Sequence, residues 1–325
     1  ALAWRPWPPI YKPRPLLASM NIPVLRSVEA ITPHGAMLFA LTVYRDDYKL
    51  MPLTTAALTA GADDWRAELK EEAELASLRA ELEKVPKGRI AVLPTDPGGP
   101  CARFAQRCGV LAAAEHLTPQ QLVEPNRFVA RRYPVALHLG GEHYPFSVHK
   151  TGDGADALLN YLASGGLIVC AGREPLPFCY GDDLRQPDGT PGPSLWPRLG
   201  LPMENKFEQP ASGRTMRIEH IPSQRVLWNL PWQLAFPSAG DLRLRSINGD
   251  AAENRQLRYQ PIYSVVDDLH NELGDVVASV EWRDGRLAGG RLLYVWSGLL
   301  QDPETATPLF QSVFRFVIEQ ARRAQ

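Results

Sequence analysis

The chain has no surplus of either charge. Its 35 lysines and arginines stand against 36 aspartates and glutamates, a formal net charge of −1. No global field therefore draws it to nucleic acid or to an anionic membrane, and no nucleic-acid partner is expected. Long apolar runs are also missing. None reaches the roughly 18 residues of a membrane span, so a soluble chain with no membrane span is expected. Cysteine is scarce: Cys101, Cys108, Cys170 and Cys179 are the four present. None stands in a Cys-x-x-Cys pair, so neither a zinc cage nor another metal or cofactor is expected. Cys101 and Cys108 lie seven apart in one expected helix, too far along its axis for a disulfide. The glycine turn Thr95-Asp96-Pro97-Gly98-Gly99 lacks both Gly-x-Gly-x-x-Gly spacing and a Walker lysine, so it gives no support to nucleotide binding.

Proline, by contrast, is abundant, with 30 residues, roughly twice the average share. The prolines gather in residues 1–20 and between Pro175 and Pro237, where extended segments and rigid loops are expected. Residues 1–20, with Trp4, Trp7 and Tyr11, read as an extended proline-aromatic arm. The opening Ala-Leu-Ala resembles the tail of a secretory signal, which makes export one expectation. Residues 21–86 read as a hairpin followed by an amphipathic helix. Its strands are Ile22–Ile31 and Ala36–Tyr44, joined by a TPHG turn. Asp63–Val85 carries an apolar stripe at Leu69, Leu75, Leu78 and Leu82.

The most informative stretch runs from Tyr133 to Gly172: strand, glycine turn, helix, glycine turn, strand, glycine turn. With the strand Arg89–Pro94 and the helix Cys101–Leu111 before it, the order βαβαβ predicts a parallel sheet with right-handed crossovers. Ligands gather at the carboxyl ends of such strands. Thr118-Pro119-Gln120-Gln121 is a helix start. A β-rich insertion is expected at about 205–265. Val276–Trp282 and Arg291–Trp296 follow as a strand pair, and the inward-facing helix Thr307–Arg323 closes the chain.

Past the strand end at Leu139 lie Gly140, Gly141, Glu142, His143 and Tyr144. Carboxylate, imidazole and phenol together suit a sugar or another polar small molecule. His138, alternating with Leu137 and Leu139, is expected as a core histidine with its nitrogens satisfied. His143, His149 and Asp153 lack a third histidine or cysteine at metal spacing. Arg243, Arg245, Arg255 and Arg258 read as salt-bridged surface. Trp228, Trp232, Trp282 and Trp296 read as core, with sugar stacking as the other reading.

The strand RIAVLP, the segment LTPQQL, LHLGGE at Leu137–Glu142, LLNYLASGGLIVCAG at Leu158–Gly172 and GGRLLYVWSGLL at Gly289–Leu300 resemble, in that order, the class I glutamine amidotransferase-like superfamily. The resemblance is to the branch of trehalose-utilisation (ThuA)-like proteins and β-galactosidase trimerisation domains, and covers roughly residues 87–320. It implies a flavodoxin-like α/β fold: an open parallel sheet with helices on both faces, here over residues 87–325. In catalytic members of the superfamily a Gly-Gly turn supplies an oxyanion hole, a Cys on a sharp turn attacks the amide, and a His-x-Glu string activates it. The matching residues here are Gly140-Gly141, Cys170, and His270 with Glu272; Arg173 follows the cysteine turn. Two departures separate this chain from those members. Ile168 replaces the elbow's first glycine, and Arg-Glu-Pro-Leu-Pro after Gly172 cannot start the helix that aims its dipole at the thiolate. The resemblance therefore implies a member without amidotransferase activity: an accessory, binding or assembly protein in carbohydrate-related metabolism. Its partners would be copies of itself or a larger carbohydrate-active assembly, and its ligand a sugar or small molecule. Two other readings stand beside it. One is a cysteine hydrolase or amidotransferase using Cys170; the other is a structural subunit that assembles through its arm and helix.

Overall fold

The TPHG break falls between two paired strands. In the computed structural model, β1 (Leu25–Thr32) pairs antiparallel with β2 (Gly35–Tyr44), with Thr32 opposite Gly35 across the turn. A third strand, β3 (Asp47–Pro52), adds to β2. The structure describes residues 25–32, 35–44, 47–52, 71–94, 99–140, 143–145, 147–150, 152–171, 178–180, 195–207, 215–222, 226–237, 242, 244–254, 257–296, 299 and 303–323. The arm of residues 1–20 lies outside them. The chain divides into two units, residues 1–73 and 74–325, and the three strands above belong to the first.

In the second unit the helices and strands alternate. Helix α1 (residues 71–82), which enters this unit at residue 74, precedes β4 (Ile90–Val92), α2 (Gly99–Arg107), α3 (Val110–Ala113), β5 (Glu115–His116) and α4 (Pro119–Val123). Next come β6 (Val135–His138), β7 (His143–Pro145), α5 (Asp153–Ala163), β8 (Leu167–Ala171) and β9 (Phe178–Tyr180). The expected helix Cys101–Leu111 is interrupted, because Gly109 turns left-handed (φ 84°) between α2 and α3. Thr118 and Gln121 form a reciprocal capping box at the start of α4, which satisfies two otherwise unpaired amides.

The remaining elements are α6 (Trp196–Leu199), β10 (Met203–Phe207), β11 (Met216–His220), β12 (Gln233–Ala235), β13 (Leu244–Ile247), α7 (Gly249–Asn254), β14 (Leu257–Asp267), β15 (Glu272–Trp282), β16 (Arg291–Val295) and α8 (Pro303–Arg323).

Among the described residues, nine strands form one sheet in the order β12-β11-β14-β15-β16-β8-β6-β4-β5. The half from β16 to β5 is parallel. Numbered along the chain, its five strands run 2-1-3-4-5. The other half is antiparallel. The strands of the β-rich segment expected as an insertion at about 205–265 enter two sheets. Strands β11, β12 and β14 continue the central sheet, and only β10 and β13 pair apart from it.

The parallel strands are buried on both faces, as continuous apolar runs require. Along β8, Leu167, Val169 and Ala171 join one core while Ile168 and Cys170 join the other. Leu75, Leu78 and Leu82 of α1 pack on the first face with α2 and with Leu309, Phe310, Val313, Phe314 and Val317 of α8. Each such buried side chain contributes about 2 kcal/mol. On the second face lie Leu158, Leu159 and Leu162 of α5, Leu122 of α4 and Leu199 of α6. The second unit is therefore a mixed α/β body with helices on both faces of its sheet.

Candidate functional site

Strand order reverses between β4 and β6, so the crevice favoured for ligands lies outside their carboxyl ends. The loop after β6 begins at Leu139 and Gly140, both buried. Gly141, Glu142 and Arg173 fall outside the described residues. His143 and Tyr144 lie in β7, which pairs in parallel with β9, placing His143 opposite Phe178 and Tyr144 opposite Cys179. The chain segments that follow β6 and β8 thus meet as a small ribbon. The next described element after β8 is this strand and not a helix, as the prolines after Gly172 require.

Cys170 lies inside β8, fully buried. Its neighbours across the sheet are His138 on β6 and Tyr294 on β16. Adjacent strands are roughly 4.8 Å apart, so the histidine beside Cys170 is His138. That residue differs from the sequence expectation in one respect. It is fully buried, but among the described residues neither ring nitrogen has a hydrogen-bond partner. Burial pushes its pKa down to about 4, so the ring is neutral near pH 7. It faces a small apolar cavity of about 10 Å³ with Leu93, Leu158, Leu162, Ile168 and Trp282 among the lining. A water there would need two or more polar partners, and this lining is otherwise almost wholly hydrocarbon.

His270 lies in the turn closing β14 onto β15, and Glu272 opens β15. Asp267 holds that turn. Its carboxylate accepts the amides of Leu269 (2.9 Å) and Asn271 (2.8 Å) and the Asn271 side chain (3.0 Å). His270 is exposed and left-handed, at φ 62°. Arg217 donates from Nη2 to its Nδ1 at 2.9 Å, which leaves any ring proton of neutral His270 on Nε2. Strand register separates this turn from Cys170. Cys170 is opposite Tyr294, and Tyr294 is opposite Ala278. Glu272 is six residues further along β15 and two strands away, roughly 20 Å by strand geometry. Cys170, His270 and Glu272 are not brought together, because their strands are not neighbours and the turn projects past the sheet's carboxyl edge.

Asp153 shows what the polar segment after β7 is for. Its carboxylate accepts the amides of Val148 (2.7 Å), His149 (2.7 Å) and Lys150 (3.1 Å). Burial works to raise its pKa, but these hydrogen bonds outweigh it and hold the carboxyl below its ordinary range. Asp153 is spent on the turn entering α5. Among the described residues, no group of three or more His, Cys, Asp or Glu is placed to hold a metal ion. No described helix is long and apolar enough to cross a membrane.

A second polar cluster was not visible in the sequence. Asp275 accepts from the hydroxyls of Tyr259 and Ser264, and its amide donates to Ser246 Oγ at 2.9 Å. Burial raises the Asp275 and Tyr259 pKa values alike. The cluster ties β13 to β14 and β15, and its groups are consumed by one another.

The tryptophans divide. Trp282 and Trp296 are buried, and Trp282 Nε1 donates to Leu199 O at 2.9 Å. Trp228 and Trp232 are 61% and 59% exposed, contrary to a core role. Arg258 does pair with Glu281, at 3.5 Å.

Comparison with protein-family models, with curated proteins and with solved structures finds no match to this chain.

Proposed function

We propose that this chain is a flavodoxin-like, glutamine amidotransferase-like protein of the ThuA-like and trimerisation-domain branch, without amidotransferase activity. It serves as an accessory, binding or assembly protein in carbohydrate-related metabolism. The parallel strand order 2-1-3-4-5 supports the flavodoxin-like reading, since that is the flavodoxin-type order. The observation that carries the functional reading is the state of Cys170. It is buried within a strand, and the His-x-Glu string that would activate it stands roughly 20 Å away. A nucleophile needs a base within hydrogen-bond reach or one water away, and a thiolate needs a helix terminus or a cation to lower its pKa. The His138 ring beside it is fully enclosed with it. The sugar or small-molecule ligand belongs to the Gly140–Tyr144 corner or to another polar cleft of the body.

Thiol labelling tests this. With iodoacetamide on the native full chain, Cys170 is expected to label at the rate of global unfolding, as read by mass spectrometry. Selective fast labelling of Cys170, with glutamine or ester hydrolysis that Cys170→Ala abolishes, would make the chain a cysteine hydrolase and end this reading.

A further inference from the structure

A groove of about 430 Å³ opens at the opposite end of the sheet from the Gly140 turn. Its floor is Arg258 and Gln260 of β14, Ser279 and Glu281 of β15, and Arg291 of β16. Its wall is the last two turns of α8, through Glu319, Gln320 and Arg323. Trp228 stands at its side.

Three properties define what fits. The first is charge. Three guanidiniums meet two carboxylates. Arg258 pairs with Glu281 at 3.5 Å and Arg323 with Glu319 at 3.3 Å. Arg291 donates instead to the neutral Gln320 Oε1 at 2.8 Å, and no carboxylate partners it among the described residues. One cation is therefore left to accept a single anionic group, and the planar guanidinium suits a carboxylate. The second is hydrogen-bonding density. Gln260, Ser279, Glu281 and Gln320 offer donors and acceptors side by side, which a polyhydroxylated ligand satisfies and a flat aromatic acid leaves unpaired. Two carboxylates in the lining also repel a multiply charged phosphate. The third is the indole. Trp228 is exposed, yet its main chain is pinned from both sides: its N–H donates to Ser312 Oγ (3.1 Å), and the Ser312 hydroxyl donates to its carbonyl (2.7 Å). A large apolar face held out on a fixed backbone is a stacking platform, prepared before the ligand arrives.

We infer that this groove binds an acidic saccharide, with a uronic-acid carboxylate on Arg291 and a sugar ring face on Trp228. The inference rests on the reading of the chain as a carbohydrate-related binding protein and gives that reading a site and a ligand class. The volume lies within the range of small-molecule pockets.

A xylo-oligosaccharide carrying one glucuronic acid residue, titrated into the full chain and followed by calorimetry and tryptophan fluorescence, tests it. Saturable binding is expected. Trp228→Ala and Arg291→Gln should each weaken it about tenfold or more, Trp228→Phe should retain most of it, and Trp232→Ala should leave it unchanged. The carboxyl-reduced oligosaccharide should bind about tenfold more weakly or not at all. Absence of saturable binding to both this probe and a gluco-oligosaccharide bearing one glucuronic acid residue overturns the inference. So does equal binding of the reduced probe, equal binding of benzoate, or wild-type affinity in both groove variants. Trp228→Ala alters an exposed side chain, so it stays informative if Arg291→Gln fails to fold. Failure here with Cys170 still unreactive removes the ligand and leaves the non-enzymatic reading standing. Selective reactivity of Cys170 removes that reading and leaves the groove result as it is.

Discussion

His138 is the residue with the clearest thermodynamic signature. In the folded chain its imidazole titrates at about 4, against roughly 6.5 in an unfolded chain. The folded value is the lower one, so the unfolded state takes up the proton first as the pH falls. Stability is complete above about pH 6.5 and is lost on the way down to about pH 4, by about 3 kcal/mol for this group. Urea unfolding across that window should show a shallower decline in His138→Leu than in the wild type, by an amount of that order. Parallel declines would mean that the ring finds a partner on protonation. The sequence reading of His138 as a core residue was sound in placement. Its lack of partners could not be read, because satisfaction of a ring nitrogen depends on side chains from other strands and helices, whose positions no local pattern records. Cys170 makes the same point. Its burial follows from the apolar run around it, while its distance from His270 and Glu272 follows from strand order.

At the scale of elements, the junction of α5 and β8 was the most legible, because its signals are local. Gly165 is left-handed at φ 83°. Its amide and that of Gly166 return to Leu162 O (2.8 Å) and Tyr161 O (3.2 Å), the paired bonds of a Schellman stop. Gly166 has a further reason to be glycine: a Cβ there would sit 2.4 Å from the Tyr161 ring. That ring is stacked on Phe128, with centroids 4.1 Å apart, and its hydroxyl donates to Leu167 O at 3.1 Å. The ring cannot yield without losing both contacts. Gly166→Ala should therefore cost about 2 kcal/mol or more in chemical denaturation, and a midpoint equal to wild type would show that the stack is soft. The β14–β15 pair was the least legible. Pro261 lies within β14, where its missing amide would ordinarily interrupt the ladder. It is tolerated because the register shifts between Pro261 and Tyr263, the irregularity where a missing amide does least harm.

The whole molecule joins two kinds of sheet. Alternation of strands and helices up to Ala171 announced the parallel half, because crossovers leave a repeating pattern in the chain. The β-rich segment at about 205–265 was expected without a sheet to join, since short strands between proline-rich loops do not reveal which sheet they enter. The groove was missed for the same reason: its floor and wall come from three strands and a helix, each unremarkable alone. β16 is the seam, with β15 antiparallel on one side and β8 parallel on the other. That seam has a kinetic meaning. β14, β15 and β16 follow one another closely and can pair with little loop closure, whereas β16 reaches β8 only after the chain between residues 171 and 291 is gathered in. Local pairings form early, and distant ones wait for entropy already spent elsewhere. In stopped-flow experiments, Val280→Ala on β15 should therefore mainly slow folding, and Val169→Ala on β8 should mainly hasten unfolding. The reverse pattern would place the nucleus in the parallel half. One strand shared by both halves thus sets the order in which they assemble.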